Sequence, residues 1–198
     1  MKAKRENQTN MIYYISDLHI GDDKTCKKCK RDFIDNEQMK EVISTNWNIK
    51  VKDNDHVYIL GDIAENFDNE TILFFKNLKG RKHLIVGNHD EPILEEIRNA
   101  NLFESIKFID LISDEGRNVC ICHYPLMDWM EFNRGGYLVY GHIHNKTEEN
   151  GEAYKQIKEY YKNKLAYNCG VDVVEFQPVT LDEMIKLKEE NKNEAFIN

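Results

Sequence analysis

Five short apolar runs along the chain each stop at a polar cluster. The runs are rich in Val, Ile and Tyr and cover residues 11–16, 56–60, 83–86, 119–122 and 137–140. Near-continuous apolar runs of this length are typical of strands buried on both faces of a sheet. The clusters that follow them are Asp17-Leu18-His19, Gly61-Asp62, Gly87-Asn88-His89-Asp90, His123-Tyr124-Pro125 and Gly141-His142-Ile143-His144.

Helical patterns lie between several of these runs. They cover residues 36–46, 69–78 and 92–100, and the last begins with Pro92, a residue favoured in the first turn of a helix. Strands that alternate with helices predict an α/β fold with a mostly parallel sheet. In such sheets ligands bind beyond the carboxyl ends of the strands, and the polar clusters lie at these ends.

The second half of the chain has a different pattern. Residues 106–112 and 118–122, joined by a turn at residues 114–116, predict an antiparallel hairpin. Residues 153–165 predict a basic and aromatic helix, and residues 165–169 predict a further strand. We expect the aromatic side chains of residues 154–167 to pack on the sheet rather than to form a dimer face. Thr180-Leu181-Asp182-Glu183 matches the capping box that opens a helix.

Length, composition and charge limit the class of protein. A chain of 198 residues with 41% hydrophobic and 31% charged residues fits one domain, which we place at residues 11–198 after a flexible extension at residues 1–10. The apolar runs are far shorter than the ~20 residues of a membrane-spanning helix or the core of a signal peptide, so we expect a cytoplasmic protein. The net charge of −8 argues against a protein that grips long nucleic acid, because such binding depends on Lys and Arg.

The five cysteines predict reduced thiols, because their number is odd and no export signal precedes them. Cys26 and Cys29 have the spacing of zinc ligands, but the sequence offers no second pair to complete four ligands. We therefore expect these two cysteines to lie in a loop and to bind no metal, with a structural zinc site as the alternative.

The polar clusters contain the residue types that bind divalent metal ions. Five of the seven histidines lie in them, whereas His56 and His83 lie elsewhere and are expected to be packed or hydrogen-bonded in the core. Imidazole, carboxylate and amide oxygen together suit first-row divalent ions better than Ca²⁺. Seven such ligands exceed the needs of one zinc ion and predict two divalent ions that share a carboxylate. The charge of the two ions together with Asp17 and Asp62 is about +2. Mn²⁺ is favoured, with Fe, Zn or Ni as alternatives.

The ordered series DLH, GDIAE, GNHD, HYP and GHIH resembles the signature of the calcineurin-like metallophosphoesterase superfamily. That signature is DxH, GDxx(D/E), GNH(D/E), an isolated His and GHxH, and every element is present, in order, between Asp17 and His144. The segment Asn168-Cys169-Gly170-Val171-Asp172 is also similar to the small single-domain bacterial and phage members.

The resemblance implies a four-layer αββα sandwich with two mixed β-sheets and a metal site at the carboxyl ends of the strands. It also implies these ligands: Asp17, His19 and His144 for the first ion, Asp62 as the bridge, and Asn88, His123 and His142 for the second. His89 matches the family histidine that acts as general acid, and Glu65 matches the acidic residue that orients it.

These features predict a phosphoesterase that hydrolyses a phosphodiester or phosphomonoester by in-line attack of a hydroxide bound between two metal ions. The protein phosphatase branch carries phosphate-binding arginines where this chain has Glu65-Asn66 and Asp90-Glu91-Pro92. The expected partner is therefore a small or nucleotide-like phosphoester, with no membrane partner. A nuclease acting on nucleic-acid ends is the alternative, followed by a non-catalytic metal-binding scaffold. The sequence leaves the substrate and the oligomeric state open.

Overall fold

Two four-stranded sheets form the centre of the molecule. The computed structural model describes residues 10–145 and 152–194. The first sheet contains β1 (Ile12–Ile15), β2 (His56–Ile59), β3 (Arg81–Ile85) and β4 (Ser105–Lys107) in that order, and every pair is parallel. The second sheet contains β5 (Ile109–Asp114), β6 (Arg117–Cys122), β7 (Tyr137–Tyr140) and β8 (Ala166–Asn168) in that order.

Six α-helices accompany the sheets within the described ranges. They are α1 (Asp23–Lys28), α2 (Asn36–Lys50), α3 (Asn69–Asn77), α4 (Leu94–Asn99), α5 (Glu152–Tyr161) and α6 (Leu181–Glu194). Short 3₁₀ turns cover Glu91–Ile93 and Phe132–Arg134. None of these helices combines the length and the apolar character that crossing a membrane requires.

Side chains on alternate faces of the strands separate the core into layers. In β1, Ile15 packs with α2 and α3 through Ile43 and Phe75, whereas the neighbouring Tyr14 packs between the two sheets. In β6, Val119 and Ile121 lie between the sheets, whereas Cys120 packs on the outer face with Trp129 and Tyr161. Because successive strand residues point to opposite faces, a strand buried on both faces reads as a continuous apolar run. The expected four-layer αββα sandwich is confirmed.

The two sheets differ in strand direction, so the expectation of two mixed sheets is correct only for the second. In the first sheet, each strand is joined to the next by a long connection. Such a connection lets the chain return to the same end of the sheet, so the strands can pair in parallel. In the second sheet a tight turn at Glu115 and Gly116 makes β5 and β6 antiparallel, while β6–β7 and β7–β8 are parallel.

The predicted strand at residues 106–112 is divided between the two sheets. Ile106 belongs to β4 in the first sheet, and Leu111 belongs to β5 in the second. Phe108 lies between the two strands and is 54% exposed. The chain therefore changes sheet within an apolar run, and the alternation pattern carries no signal for such a change.

Side-chain caps fix the beginnings of the main helices. Asp35 accepts a hydrogen bond from the Gln38 N–H at 2.9 Å at the start of α2, and Asp68 caps α3 in the same way. Such caps stabilise a helix by about 1 kcal/mol. The predicted capping box is confirmed at α6, where Thr180 N–H donates to Glu183 at 2.8 Å and Glu183 N–H donates back to the threonine hydroxyl.

Several expectations about the ends of the chain stay predictions. The proposed extension at residues 1–10 lies outside the described residues except for its last position, and the single domain at residues 11–198 is not tested as a unit. The helix predicted at residues 153–165 is α5 together with the turn that follows it. Tyr161 and Tyr167 are buried in the core, as the packing interpretation predicts.

Candidate metal centre

The polar clusters of both sheets meet at the carboxyl ends of their strands. Two groups of side chains bring their ligand atoms within 4.8 Å of one another: Asp17, His19 and His144 form the first, and Asp62, His123 and His142 form the second. Asp62 lies between the groups, because its Oδ2 is 3.6 Å from His19 Nε2 and 3.4 Å from His123 Nε2. Asn88 Oδ1 lies 3.3 Å from the same His123 nitrogen, on the side of the second group.

The backbone at these positions is held in an unusual conformation. Left-handed φ angles occur at five of the expected ligands: Asp17 (59°), His19 (50°), Asp62 (54°), His142 (70°) and His144 (52°). In a residue other than glycine, this backbone conformation costs about 1–3 kcal/mol. Such strain persists where the surrounding contacts impose it. Here the Asp17 N–H donates to the Gly61 carbonyl, and the His19 N–H donates to the Asp62 carbonyl, both at 3.0 Å.

Gly61 lets two of the strand-end turns approach each other closely. Its φ is +83°, and a Cβ at this position would lie 2.6 Å from His123 Nδ1 and 2.7 Å from the Gly87 Cα. A larger residue would therefore force the second group of ligands apart. The glycine that precedes the aspartate in the GD motif is thus required by packing at the centre.

Asp90 ties the turns after β2 and β3 together. Its fully buried carboxylate accepts hydrogen bonds from the backbone N–H groups of Asp62 (2.9 Å), Ile63 (2.9 Å) and Gly87 (2.8 Å). Burial raises the pKa of Asp90 to about 6, although these N–H groups favour the charged form. The aspartate that ends GNHD therefore has a structural role.

Hydrogen bonds to Nδ1 orient two of the expected imidazole ligands. His123 Nδ1 lies 2.7 Å from the Leu60 carbonyl, which can only accept, so the ring donates there and turns Nε2 towards Asp62. His144 Nδ1 lies 2.7 Å from Asp172 Oδ2, and its Nε2 faces Asp17 Oδ1 at 3.7 Å. Partners of this kind fix the tautomer and orientation of metal-binding histidines.

A buried salt bridge supports this orientation from behind. Arg31 donates to both oxygens of Asp172, at 2.7 and 3.0 Å, and to the Asp17 carbonyl at 2.7 Å and the Leu18 carbonyl at 2.9 Å. The sequence reasoning did not assign roles to Arg31 or Asp172. The only signal was the Asn168–Asp172 tail motif, because Arg31 is 141 positions away from its partner.

The burial and protonation of these side chains suit them to bind divalent metal ions. Both ring nitrogens of His19 are buried and have no hydrogen-bond partner, although buried polar atoms normally find one. Burial lowers the pKa of His19 to about 4, so its ring is neutral and its nitrogens can act as ligands. Burial alone would raise the pKa of Asp62, but hydrogen bonds from His123 and His89 lower it to about 2 and keep the carboxylate charged.

The expected general acid, His89, and the residue expected to orient it, Glu65, are both exposed. His89 is exposed, and its ring centroid lies 4.8 Å from that of His19. Glu65 is also exposed, and its role in orienting His89 stays a prediction. The carboxylate within 4.8 Å of a His89 ring nitrogen is that of Asp22, a residue that the sequence reasoning did not select.

A cleft of about 430 Å³ opens over the two groups. Its wall beside the first group comes from α1 and the turn after it, with Thr25, Lys28, Cys29 and Lys30. Cys26 and Cys29 therefore lie on a short helix and at its end, not in the expected loop. Cys29 Sγ is 3.4 Å from His144 Nδ1, and all five cysteines are free.

The sequence model of the calcineurin-like phosphoesterases matches residues 11–174, a range that contains all of these side chains. The chain belongs to the calcineurin-like phosphoesterase family. An uncharacterized protein of Methanocaldococcus jannaschii is 32% identical over 94% of this chain and 96% of its own. The Gene 66 protein of Mycobacterium phage D29 is 27% identical over 68% of this chain and 79% of its own.

A solved structure shares the fold over most of the chain. A protein of unknown function from Aquifex aeolicus superposes with a TM-score of 0.70 at 28% identity, covering 90% of this chain and 100% of that one. As a member of the calcineurin-like family, the chain is a hydrolase of phosphoesters that depends on divalent metal ions. The seven individual ligands, and the roles of His89 and Glu65, stay predictions.

Proposed function

We propose that this chain hydrolyses a phosphodiester or phosphomonoester of a small or nucleotide-like molecule with two divalent metal ions, for which Mn²⁺ is the favoured identity. The cleft volume of about 430 Å³ falls in the range of small-molecule sites. Lys28 and Lys30 on its wall offer positive charge to a phosphate in an otherwise acidic protein.

The position of Asp62 Oδ2 between the two ligand groups is the observation that carries this proposal. Asp17, His19 and His144 would hold one ion and Asn88, His123 and His142 the other, with Asp62 shared. When bound, such a pair of ions lowers the pKa of a water for in-line attack and stabilises the oxygens of the phosphoryl group.

The chain's own residues then have distinct tasks around the cleft. Asp172 and the Leu60 carbonyl are hydrogen-bonded to His144 and His123 and would keep both rings in the orientation needed to bind metal. His89 is exposed at the cleft beside His19 and would donate a proton to the leaving oxygen. Asp22, whose carboxylate lies within 4.8 Å of a His89 ring nitrogen, or Glu65 would orient this ring.

The first test is hydrolysis of p-nitrophenyl phosphate and its bis ester by the full chain with Mn²⁺. We expect turnover by the wild type, loss of activity in Asp62→Asn, and no change in Asp53→Asn, which alters an exposed aspartate at the opposite end of β2 from Asp62. A metal-loaded wild type that hydrolyses no phosphoester with any divalent ion would overturn the proposal.

A second variant separates proton transfer from metal binding. We expect His89→Asn to lower the rate by about 10²–10⁴-fold while metal content stays at the wild-type value. Loss of metal together with rate would contradict the assignment of His89 as a residue that is not a ligand.

The nuclease alternative differs in how the substrate is held. Binding that rests on phosphate contacts along a strand weakens steeply with salt. We expect a short oligonucleotide to bind weakly and with a shallow salt dependence, because the chain is acidic. Tight binding with a steep slope, together with cleavage, would favour the nuclease.

A further inference from the structure

The two histidines that lie outside the motif clusters meet at the opposite end of the first sheet. His56 is the first residue of β2, and His83 lies on the adjacent β3. Both side chains point to the face that lies towards the second sheet, because they share alternation with Leu60 and Ile85, which pack between the sheets. Glu104 immediately precedes β4 and completes a group whose ligand atoms lie within 4.8 Å of one another.

The distances in this cluster are close to those of a metal site. His56 Nδ1 lies 2.9 Å from His83 Nε2, and Glu104 Oε2 lies 3.8 Å from the same His83 nitrogen. Ligand bonds of about 2.0–2.2 Å in tetrahedral geometry place two ligand atoms about 3.4 Å apart. Shifts of about half an ångström would therefore bring both pairs to the spacing that one ion requires.

Neighbouring side chains already orient the ligand atoms. His83 Nδ1 lies 2.9 Å from Ser105 Oγ, and this contact leaves Nε2 to face the cluster. The ring of Tyr58 stacks on His83 at 4.5 Å with an interplanar angle of 18°, so the imidazole cannot rotate freely. Arg81 Nε donates to Glu104 Oε1 at 2.6 Å and leaves Oε2 on the side of the histidines.

We propose that His56, His83 and Glu104 form a second, separate metal site that binds a divalent transition ion such as Zn²⁺. Two imidazoles and a carboxylate form a common three-ligand zinc set, with the fourth position taken by water. The Glu104 side chain is 38% exposed, so water and the ion can reach the cluster. Bound metal would join β2, β3 and the segment before β4 at the end of the sheet farthest from the catalytic residues.

Nearby charged side chains would both weaken and strengthen the affinity of this cluster for zinc. Arg81 contributes positive charge next to Glu104, whereas Asp110 of β5 faces His83 and Tyr58 from the second sheet. Lys107 pairs with Asp110 at 2.7 Å and offsets part of that negative charge. The competing state is the direct hydrogen bond between the two imidazoles. For Zn²⁺ to bind both nitrogens, the proton of this bond would move to the other nitrogen of its ring or to solvent.

The test is zinc binding to the full chain, measured by elemental analysis after dialysis and located by anomalous diffraction at the zinc edge. We expect His56→Gln to hold one zinc fewer per chain than the wild type, with phosphoesterase activity unchanged. The anomalous map of the wild type should show a peak about 2.0–2.1 Å from His56 Nδ1 and His83 Nε2.

A milder pair of variants guards against a folding defect in His56→Gln. Glu104→Gln should weaken zinc binding at this cluster by at least about tenfold, whereas Glu95→Gln, an exposed glutamate on α4, should leave it unchanged. Equal zinc content in the wild type, His56→Gln and Glu104→Gln, or a map with no peak between the two imidazoles, would overturn the proposal and leave a hydrogen-bonded histidine pair.

Discussion

Replacement of Asp172 by Asn tests whether the orientation of His144 is built into the fold. The carboxylate accepts from His144 Nδ1 at 2.7 Å, and Arg31 holds it through two further hydrogen bonds. Burial alone would lower the pKa of His144, but the bond to Asp172 raises it to about 10, so the contact is charge-assisted. In Asp172→Asn the amide would keep its oxygen on Arg31 and present NH₂ to the ring, which would favour the proton on Nε2, the atom needed for metal.

The structure sets the expected size of two separate effects. Loss of a partner that orients a metal-binding histidine weakens metal affinity by about 10–100-fold, or about 1.4–2.7 kcal/mol. Stability falls as well, because Arg31 is buried and loses its neutralising charge. Arg31 keeps its bonds to the Asp17 and Leu18 carbonyls, so we expect a loss of about 1–3 kcal/mol rather than the full cost of an isolated buried charge.

Calorimetric titration with Mn²⁺ and urea unfolding measure the two effects on the same protein. Asp182→Asn is the matched control, since Asp182 also pairs with an arginine, Arg117, but is exposed and far from the centre. It should leave Mn²⁺ affinity unchanged and lower the free energy of unfolding by less than about 1 kcal/mol. If Asp172→Asn binds Mn²⁺ as tightly as the control, Asp172 does not orient a ligand and the reasoning fails.

Four further substitutions probe the packing of the metal centre and of the core. Gly61→Ala should abolish tight metal binding and activity, because its Cβ would collide with the second ligand group at a strained φ. Asp90→Asn should lower the free energy of unfolding by about 1–3 kcal/mol, because an amide cannot accept all three backbone N–H bonds. Leu84→Ala, at a fully buried site between β3 and its helices, should cost about 2–5 kcal/mol in urea unfolding with Mn²⁺ affinity unchanged. Asp114→Asn can still accept from the Tyr14 hydroxyl, and burial raises the pKa of Asp114, so the wild type should lose stability relative to this variant as the pH rises above about 4, the ordinary pKa of an aspartate.

For three of these variants, a specific contrary result would refute the physical reason given. An active Gly61→Ala would show that the strand-end turns can separate without loss of the centre. A Leu84→Ala variant with weakened metal binding would show that core packing and ligand geometry are coupled. The pH dependence expected for Asp114 follows from its raised pKa, because the folded state disfavours the charged carboxylate. The stability of the wild type therefore falls as the pH rises above the pKa that Asp114 has in the unfolded chain. A difference that is constant with pH would contradict that account.

The strand ends could be predicted because their pattern is local. In β1, β2 and β7 an apolar run and the ligands that follow it are contiguous in the sequence, so periodicity and residue type together give their position. The change of sheet at Phe108 could not be predicted, since apolar residues continue on both sides of it. The number of sheets therefore came from the resemblance and not from the hydrophobic pattern.

The side chains that orient the expected ligands could not be predicted, for a different reason. Arg31 and Asp172 meet across most of the chain, and neither type of residue is unusual in a loop. Asp22, the N-cap residue of α1, likewise approaches His89, which lies far along the chain after β3. Sequence motifs identify the side chains that are suited to bind metal. The side chains that orient these groups are brought to them by tertiary contacts, which the sequence does not show.

Anomalous diffraction from a crystal soaked in Mn²⁺ is the most direct test of the binuclear centre. Two peaks about 3.5–4 Å apart are expected, one beside His19 and one beside His123, with Asp62 in contact with both. A single peak, or two peaks that do not share Asp62, would contradict the account.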